Sequence, residues 1–180
     1  MNRVTLVLGG GRSGKSRYAE GLATGWRGPK HYIATAEAFD EEMRARIADH
    51  RVQRGDGWRT HETPLDIVGV LNVCGENFVL VDCITVWIGN LMHHGRDALA
   101  AVDEFGAALR ATGARVVIVS NEVGLGLVPE TPLGRAFRDA QGIANQRLAQ
   151  VADEVVLIAA GLPLILKAPA LPARRRSEKE

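Results

Sequence analysis

The stretch VTLVLGGGRSGKSRYAE, residues 4–20, runs from a short apolar segment through a glycine-rich turn into a helical pattern. Val4 to Leu8 is β-branched and almost uninterruptedly hydrophobic, as a strand buried on both faces would be. It leads directly into Gly9-Gly10-Gly11-Arg12-Ser13-Gly14-Lys15-Ser16. That octet matches the phosphate-loop pattern Gly-x-x-x-x-Gly-Lys-Ser/Thr in its required context, after a strand and before a helix. Glycines let successive backbone N–H groups turn inward around phosphate oxygens, and the helix start adds the positive end of its dipole. Lys15 supplies a point charge for the terminal phosphates, and the Ser16 hydroxyl a ligand for Mg²⁺. The loop predicts a nucleoside triphosphate site; the alternative is a strand-to-helix turn with an accidental lysine.

Outward from the loop, short β-branched runs alternate with longer helical patterns. Strands are expected at Val4–Leu8, His31–Ala34, Phe78–Asp82, Arg115–Ser120, Glu154–Ala159 and Pro163–Lys167, and helices at Lys15–Thr24, Asp40–Arg54, Pro64–Val73, Ala98–Thr112 and Pro132–Val151. This alternation predicts an α/β fold with a mostly parallel central sheet flanked by helices. Gly113 suits a helix stop and Pro132 a first helical turn. No repeat and no linker divides the chain, so residues 1–167 are expected to form one domain, with 168–180 a flexible tail whose acidic residues partly cancel Arg174-Arg175-Arg176.

Composition narrows the class of function. The 180 residues carry 22 Lys+Arg against 21 Asp+Glu, a net charge of +1, which argues against a protein that coats nucleic acid or an anionic membrane. Cys74 and Cys83 are too few for a secreted disulfide framework, and a reducing, cytoplasmic setting is expected. Val4–Leu8 is too short for a signal-peptide core, and Val155 to Leu166, broken by Gly161 and Pro163, is too short to span a bilayer.

Two further residues invite chemistry. Asp82 ends the run Phe78–Asp82, where an acidic side chain can hold the metal of a phosphate-loop site; a strand-end Asp can equally start a turn or cap a helix. His50 shares a helical face with Met43 and Ile47 and stands among Arg44, Arg46, Arg51 and Arg54. On spacing alone two roles are open. One is a half-buried packing histidine; the other is a neutral imidazole that attacks phosphorus and carries a nucleotidyl group, with arginines favouring the neutral form. None of the five histidines pairs with a cysteine at metal-ligand spacing, so no zinc site is expected.

Six segments together carry a more specific signal: GGGRSGKSRYAE (9–20), YIATAEAFDEEMRARIADHR (32–51), WRTHETP (58–64), VDCITVWIGNLM (81–92), the block from Val119 to Val155 that contains Ser-Asn-Glu-Val-Gly-x-Gly-x-Val-Pro, and AGLPLILK (160–167). Over almost its whole length the chain resembles the bifunctional adenosylcobinamide kinase / adenosylcobinamide-phosphate guanylyltransferase family of cobalamin biosynthesis. The resemblance implies a RecA-like phosphate-loop fold. It implies phosphorylation of adenosylcobinamide with ATP or GTP, then transfer of GMP from GTP to the new phosphate, giving adenosylcobinamide-GDP and pyrophosphate.

By the same resemblance His50 is the nucleophile that carries GMP, with Lys15 as its catalytic companion. Gly9, Gly10, Gly11, Arg12, Ser13, Gly14, Lys15 and Ser16 hold the triphosphate, and Ala34, Thr35 and Ala36 line the nucleotide site. Arg51, Val52, Gln53, Arg54 and Glu62 complete guanine nucleotide binding, and Asp82 joins Ser16 at Mg²⁺. A carboxylate such as Glu62 can accept hydrogen bonds from the guanine N1–H and exocyclic amine, a pattern adenine lacks. Ser120-Asn121-Glu122 is expected near the phosphates or the corrinoid tail, while Arg138 and Asn145 stay undecided between helix-surface and subunit contacts. A small homo-oligomer, typically a trimer, is implied, with no nucleic-acid or membrane partner. A single-activity small-molecule kinase and a nucleotide-switched binding module are the alternatives, which covalent labelling with GTP would separate.

Overall fold

The computed structural model describes residues 4–37 and 57–168. The helix expected over 40–54, with His50, Arg51, Val52, Gln53 and Arg54, lies outside the described residues, as does the expected tail from 169 onward. The elements are β1 (Val4–Gly9), α1 (Lys15–Gly21), β2 (Lys30–Ala34), β3 (Arg59–Glu62), α2 (Ile67–Val73), β4 (Phe78–Asp82), α3 (Ile84–His93), α4 (Ala98–Ala111), β5 (Arg115–Asn121), α5 (Pro132–Val151), β6 (Glu154–Ala159) and β7 (Leu162–Lys167).

The strands form one seven-stranded sheet in the order β3-β2-β4-β5-β1-β6-β7. All neighbours pair parallel except β6 and β7, which form an antiparallel hairpin. The strand β5 separates the phosphate-loop strand β1 from β4. Parallel pairing has a direct functional consequence: the carboxyl ends of β1 to β6 share one edge of the sheet, where ligands of open α/β sheets bind.

Period-two side-chain alternation divides the core. Leu6, Val79, Val81, Val116 and Ile118 face the layer built by Ile67 and Leu71 of α2, Trp87, Ile88 and Leu91 of α3, Phe105 and Leu109 of α4, and Leu148 of α5. Val7, Leu80, Val117, Val119 and Val156 face the opposite side, covered by Ala19 of α1 with Tyr18, Trp26 and Trp58 beside it. Helix starts are fixed by local chemistry. Asp66 accepts from Gly69 N at 2.8 Å, Asp97 from Leu99 N and Ala100 N at 3.0 Å, and Thr131 from Gly134 N at 3.1 Å, followed by Pro132 at the first helical position.

Two elements are additions to the sequence expectation. The strand β3 is short, polar and largely exposed, so it carries no hydrophobic alternation and becomes a strand by pairing with β2. Helix α3 is rich in β-branched residues, which lowers intrinsic helicity, but Ile84, Thr85, Trp87, Ile88, Asn90 and Leu91 are all buried and tertiary contacts hold it.

Candidate active site

The phosphate loop leaves β1 at Gly9 and re-enters regular structure at Lys15. A Cβ on Gly9 would lie 2.5 Å from Ser13 Oγ and 2.7 Å from the Ile158 carbonyl oxygen, so only glycine lets the loop fold back here. Gly14 takes φ 97° as the residue before α1, the left-handed conformation that glycine adopts without strain. No side chain caps α1, so its first amides remain available to an anion. Around Gly10 and Gly11 a Cβ would meet none of the described residues within 4 Å.

Internal bonds hold this shape. Ser13 N donates to Gly10 O at 3.3 Å, and Gly161 N in the β6–β7 turn donates to Ser13 O at 2.9 Å, so the hairpin turn braces the loop from behind. Lys15 Nζ rests on Gly10 O at 3.0 Å. Ser13 Oγ is buried and lacks a protein partner. An uncapped helix start, a lysine parked on a loop carbonyl and an orphaned hydroxyl are the donor set a polyphosphate uses, and the residues present fit that group.

Beside the loop, register places Glu62, Ala34 and Asp82 in one row across β3, β2 and β4. The Tyr32 hydroxyl donates to Asp82 Oδ2 at 2.7 Å and orients the carboxylate. Burial pushes the neighbouring Cys83 thiol up to about 12; the Asp82 carboxylate adds to the rise and the Lys15 ammonium offsets part of it. The loop lysine and the β4 carboxylate thus act on the same point. The Asp82–Cys83 peptide bond is cis.

Thr35 is fully buried, and its side chain is spent on the protein itself. Its Oγ1 donates to Cys83 O at 2.8 Å and accepts from Cys83 N at 2.9 Å, tying the segment after β2 to the end of β4. Asn90 of α3 donates to Thr35 O at 2.7 Å and to Pro64 O at 3.2 Å, so one amide pins the chain beyond both β2 and β3. Only backbone atoms and the small side chains of Ala34 and Ala36 are left to line a ligand there. Tyr32, Asn90 and Gly161 are positioning residues that sequence reasoning did not single out; nothing in their spacing announces them.

The Ser120-Asn121-Glu122 segment does stand next to the loop. Asn121 pairs with Gly9 across the β5–β1 ladder, and Glu122 N donates to Gly9 O at 3.1 Å. Behind it lies a buried polar network: Gln141 Nε2 donates to Ser120 Oγ at 2.8 Å and Asn145 Oδ1 at 3.0 Å, Ser120 Oγ donates to Asn145 Oδ1 at 2.7 Å, and Asn145 Nδ2 donates to Asn121 O at 3.0 Å. Asn145 is therefore an interior residue of the α5–β5 contact, whereas Arg138 pairs on the surface with Asp139 at 3.1 Å. Thr85 Oγ1 accepts from Asn121 N at 2.7 Å, and Thr85 also borders an open cavity of about 530 Å³ lined by Val86, Gly89, Asn90, His93 and Phe137.

Residues 5–166 match the family model described as cobinamide kinase / cobinamide phosphate guanyltransferase. The bifunctional adenosylcobalamin biosynthesis protein CobP of Pseudomonas aeruginosa is 44% identical over 167 residues, covering 90% of this chain and 96% of that protein. The bifunctional adenosylcobalamin biosynthesis protein CobU of Salmonella typhimurium is 41% identical over 179 residues, covering 90% of this chain and 98% of its own length. Among solved structures, a KaiC-like protein from Pyrococcus horikoshii aligns over 86% of this chain and 70% of that chain, with a TM-score of 0.49 and 11% identity.

Proposed function

Since the chain belongs to the cobinamide kinase / cobinamide phosphate guanyltransferase family, we propose that a single phosphate-loop site runs both of its reactions, with His50 carrying GMP between them. The protein is a transferase of adenosylcobalamin biosynthesis, acting as kinase and guanylyltransferase on cobinamide-related substrates. The observation that carries the one-site reading is the shared carboxyl edge: Gly9, Asn121, Asp82, Ala34 and Glu62 all end parallel strands there. From β1 to β3 is four strand spacings, about 19 Å at ~4.8 Å each, a span suited to an extended GTP with phosphates on the loop and guanine near Glu62.

In the kinase step the acceptor hydroxyl attacks the γ-phosphorus of ATP or GTP, the bond to the β-phosphate oxygen breaks, and the hydroxyl proton leaves. Lys15 and the loop amides offset charge on the phosphates. In the second reaction neutral His50 attacks the α-phosphorus of GTP and pyrophosphate departs, the ring losing a proton as the phosphoramidate forms. The acceptor phosphate then attacks that phosphorus, the P–N bond breaks, and adenosylcobinamide-GDP is released. Arg51, Val52, Gln53 and Arg54 are assigned to guanine nucleotide binding by the family resemblance, the two arginines offsetting phosphate charge. Ser16 and Asp82 would hold Mg²⁺, which supplies charge neutralisation on the phosphate oxygens.

The open cavity lined by Thr85, Gly89, Asn90, His93 and Phe137 supports a place for part of the acceptor. Leu162, Leu164, Ile165 and Leu166 on the exposed edge strand β7 support a homo-oligomer. The free thiols of Cys74 and Cys83 support a cytoplasmic setting. Among the described residues no helix is long and apolar enough to cross a membrane.

Product analysis with adenosylcobinamide, ATP, GTP and Mg²⁺ tests the reading. Wild-type protein should form adenosylcobinamide phosphate and then adenosylcobinamide-GDP, and Lys15→Ala should lower both rates by about a hundredfold or more. A Lys15→Ala protein that keeps either rate would place that reaction outside the phosphate loop.

A further inference from the structure

Near the amino end of β2 three side chains from separate segments converge, His61 reaching back from the position before Glu62. His31 lies in β2, His61 in β3, and Cys74 follows α2. One ligand atom from each lies within 4.8 Å of the other two. His31 Nδ1 stands 2.9 Å from His61 Nε2, and the two rings meet edge to edge, centroids 5.2 Å apart and planes 13° apart. Ring nitrogens at this distance share one proton, so both rings cannot be cationic and at least one lone pair points into the gap.

From this geometry we infer that His31, His61 and Cys74 form a binding site for Zn²⁺, separate from any metal held with the nucleotide. The donor set is right for a borderline-soft ion: two imidazoles and a thiolate, the combination that selects zinc over Mg²⁺. Zn–N bonds of about 2.0–2.1 Å and a Zn–S bond of about 2.3 Å place tetrahedral ligand atoms roughly 3.3–3.8 Å apart. The imidazole nitrogens, 2.9 Å apart, separate by a few tenths of an ångström and the rings turn off their common line as the shared proton gives way to the ion, while the sulfur, within 4.8 Å of both, closes on it.

The surroundings suit a site that is built but reachable. His31 and Cys74 are buried, while His61 is half-buried on the edge strand, so the ion enters past His61 and a solvent ligand takes the fourth position. Arg59, in register with His31 on β3, opposes any bare cation, so the thiolate charge is required for net attraction. Cys74 Sγ presently donates to Val70 O at 3.1 Å. On binding, the S–H bond breaks, the Zn–S bond forms and one proton passes to solvent; the imidazoles only shift tautomer, with no redox change. Spacing along the sequence conceals the cluster, because β2–β3 pairing and the end of α2 assemble it from three segments.

Co²⁺ and Zn²⁺ titrations of the full-length, chelator-treated, nucleotide-free protein test the site. One equivalent of Co²⁺ should bind, with thiolate-to-cobalt charge-transfer absorption and intense visible bands of tetrahedral coordination, and Zn²⁺ should displace it. Cys74→Ser should abolish the charge-transfer band. His61→Ala, at a half-buried edge position with little folding risk, should weaken Zn²⁺ binding by at least about tenfold. Zn²⁺ should raise the Tm of wild type by several degrees and leave His61→Ala unmoved. Absence of stoichiometric binding, cobalt bound without a charge-transfer band, or affinity unchanged in both variants would each overturn the proposal. Because nucleotide is omitted, none of these outcomes depends on the transferase reading.

Discussion

Gly9 is where one missing methyl group decides whether the loop can fold back. Its Cβ in Gly9→Ala would collide with Ser13 Oγ and with the Ile158 carbonyl, a backbone atom of the next strand that cannot rotate away. We expect Gly9→Ala to keep the fold and to weaken GTP binding by at least about tenfold, read by calorimetry, while Gly11→Ala, where a Cβ meets none of the described residues within 4 Å, stays within a factor of a few. A thiol gives a second residue-level expectation. Burial raises the Cys83 thiol to about 12, so it remains protonated at pH 8 and is not the thiolate that alkylation requires. In native protein Cys83 should resist iodoacetamide at pH 8 and react once the chain is unfolded; labelling of Cys83 in the folded state at that pH would contradict the placement of its sulfur.

Among the elements, the contact between α5 and β5 carries the greatest polar cost. Ser120 and Gln141 are fully buried and Asn145 nearly so, and their bonds close on one another and on Asn121 beside the loop. Asn145→Leu removes partners from Ser120, Gln141 and the Asn121 carbonyl at once, and should cost about 2–4 kcal/mol in denaturant unfolding as buried groups are left unpaired. Ser120→Ala removes less and should cost about half of that. This network was illegible in the sequence, where Asn145 reads as one more polar residue on a long helix. Helix α3 was illegible for a different reason: its β-branched residues are poor helix formers, and only the surrounding sheet and helices make burial on nearly every side worth a helix. The strands β1, β4, β5 and β6 were plain in the sequence because burial on both faces writes itself as continuous hydrophobicity.

Across the whole molecule, the parallel sheet turns a scatter of sequence positions into one ligand-facing edge. The phosphate loop could be read directly, since its glycines and lysine follow from the chemistry of phosphate. That Glu62 and Asp82 would share a register row with Ala34 could not, because strand order is a long-range property with no local signature. Nor could the His31–His61–Cys74 cluster, which β2–β3 pairing and the end of α2 bring together. The proposed function needs a single site that first phosphorylates its acceptor and then passes GMP through His50. Incubation with Mg²⁺ and α-labelled GTP, followed by denaturation, tests that most directly. Wild-type protein should retain acid-labile, alkali-stable label, and His50→Ala should retain none while still binding GTP. Folded, GTP-binding wild type without label, or undiminished label in His50→Ala, would contradict it.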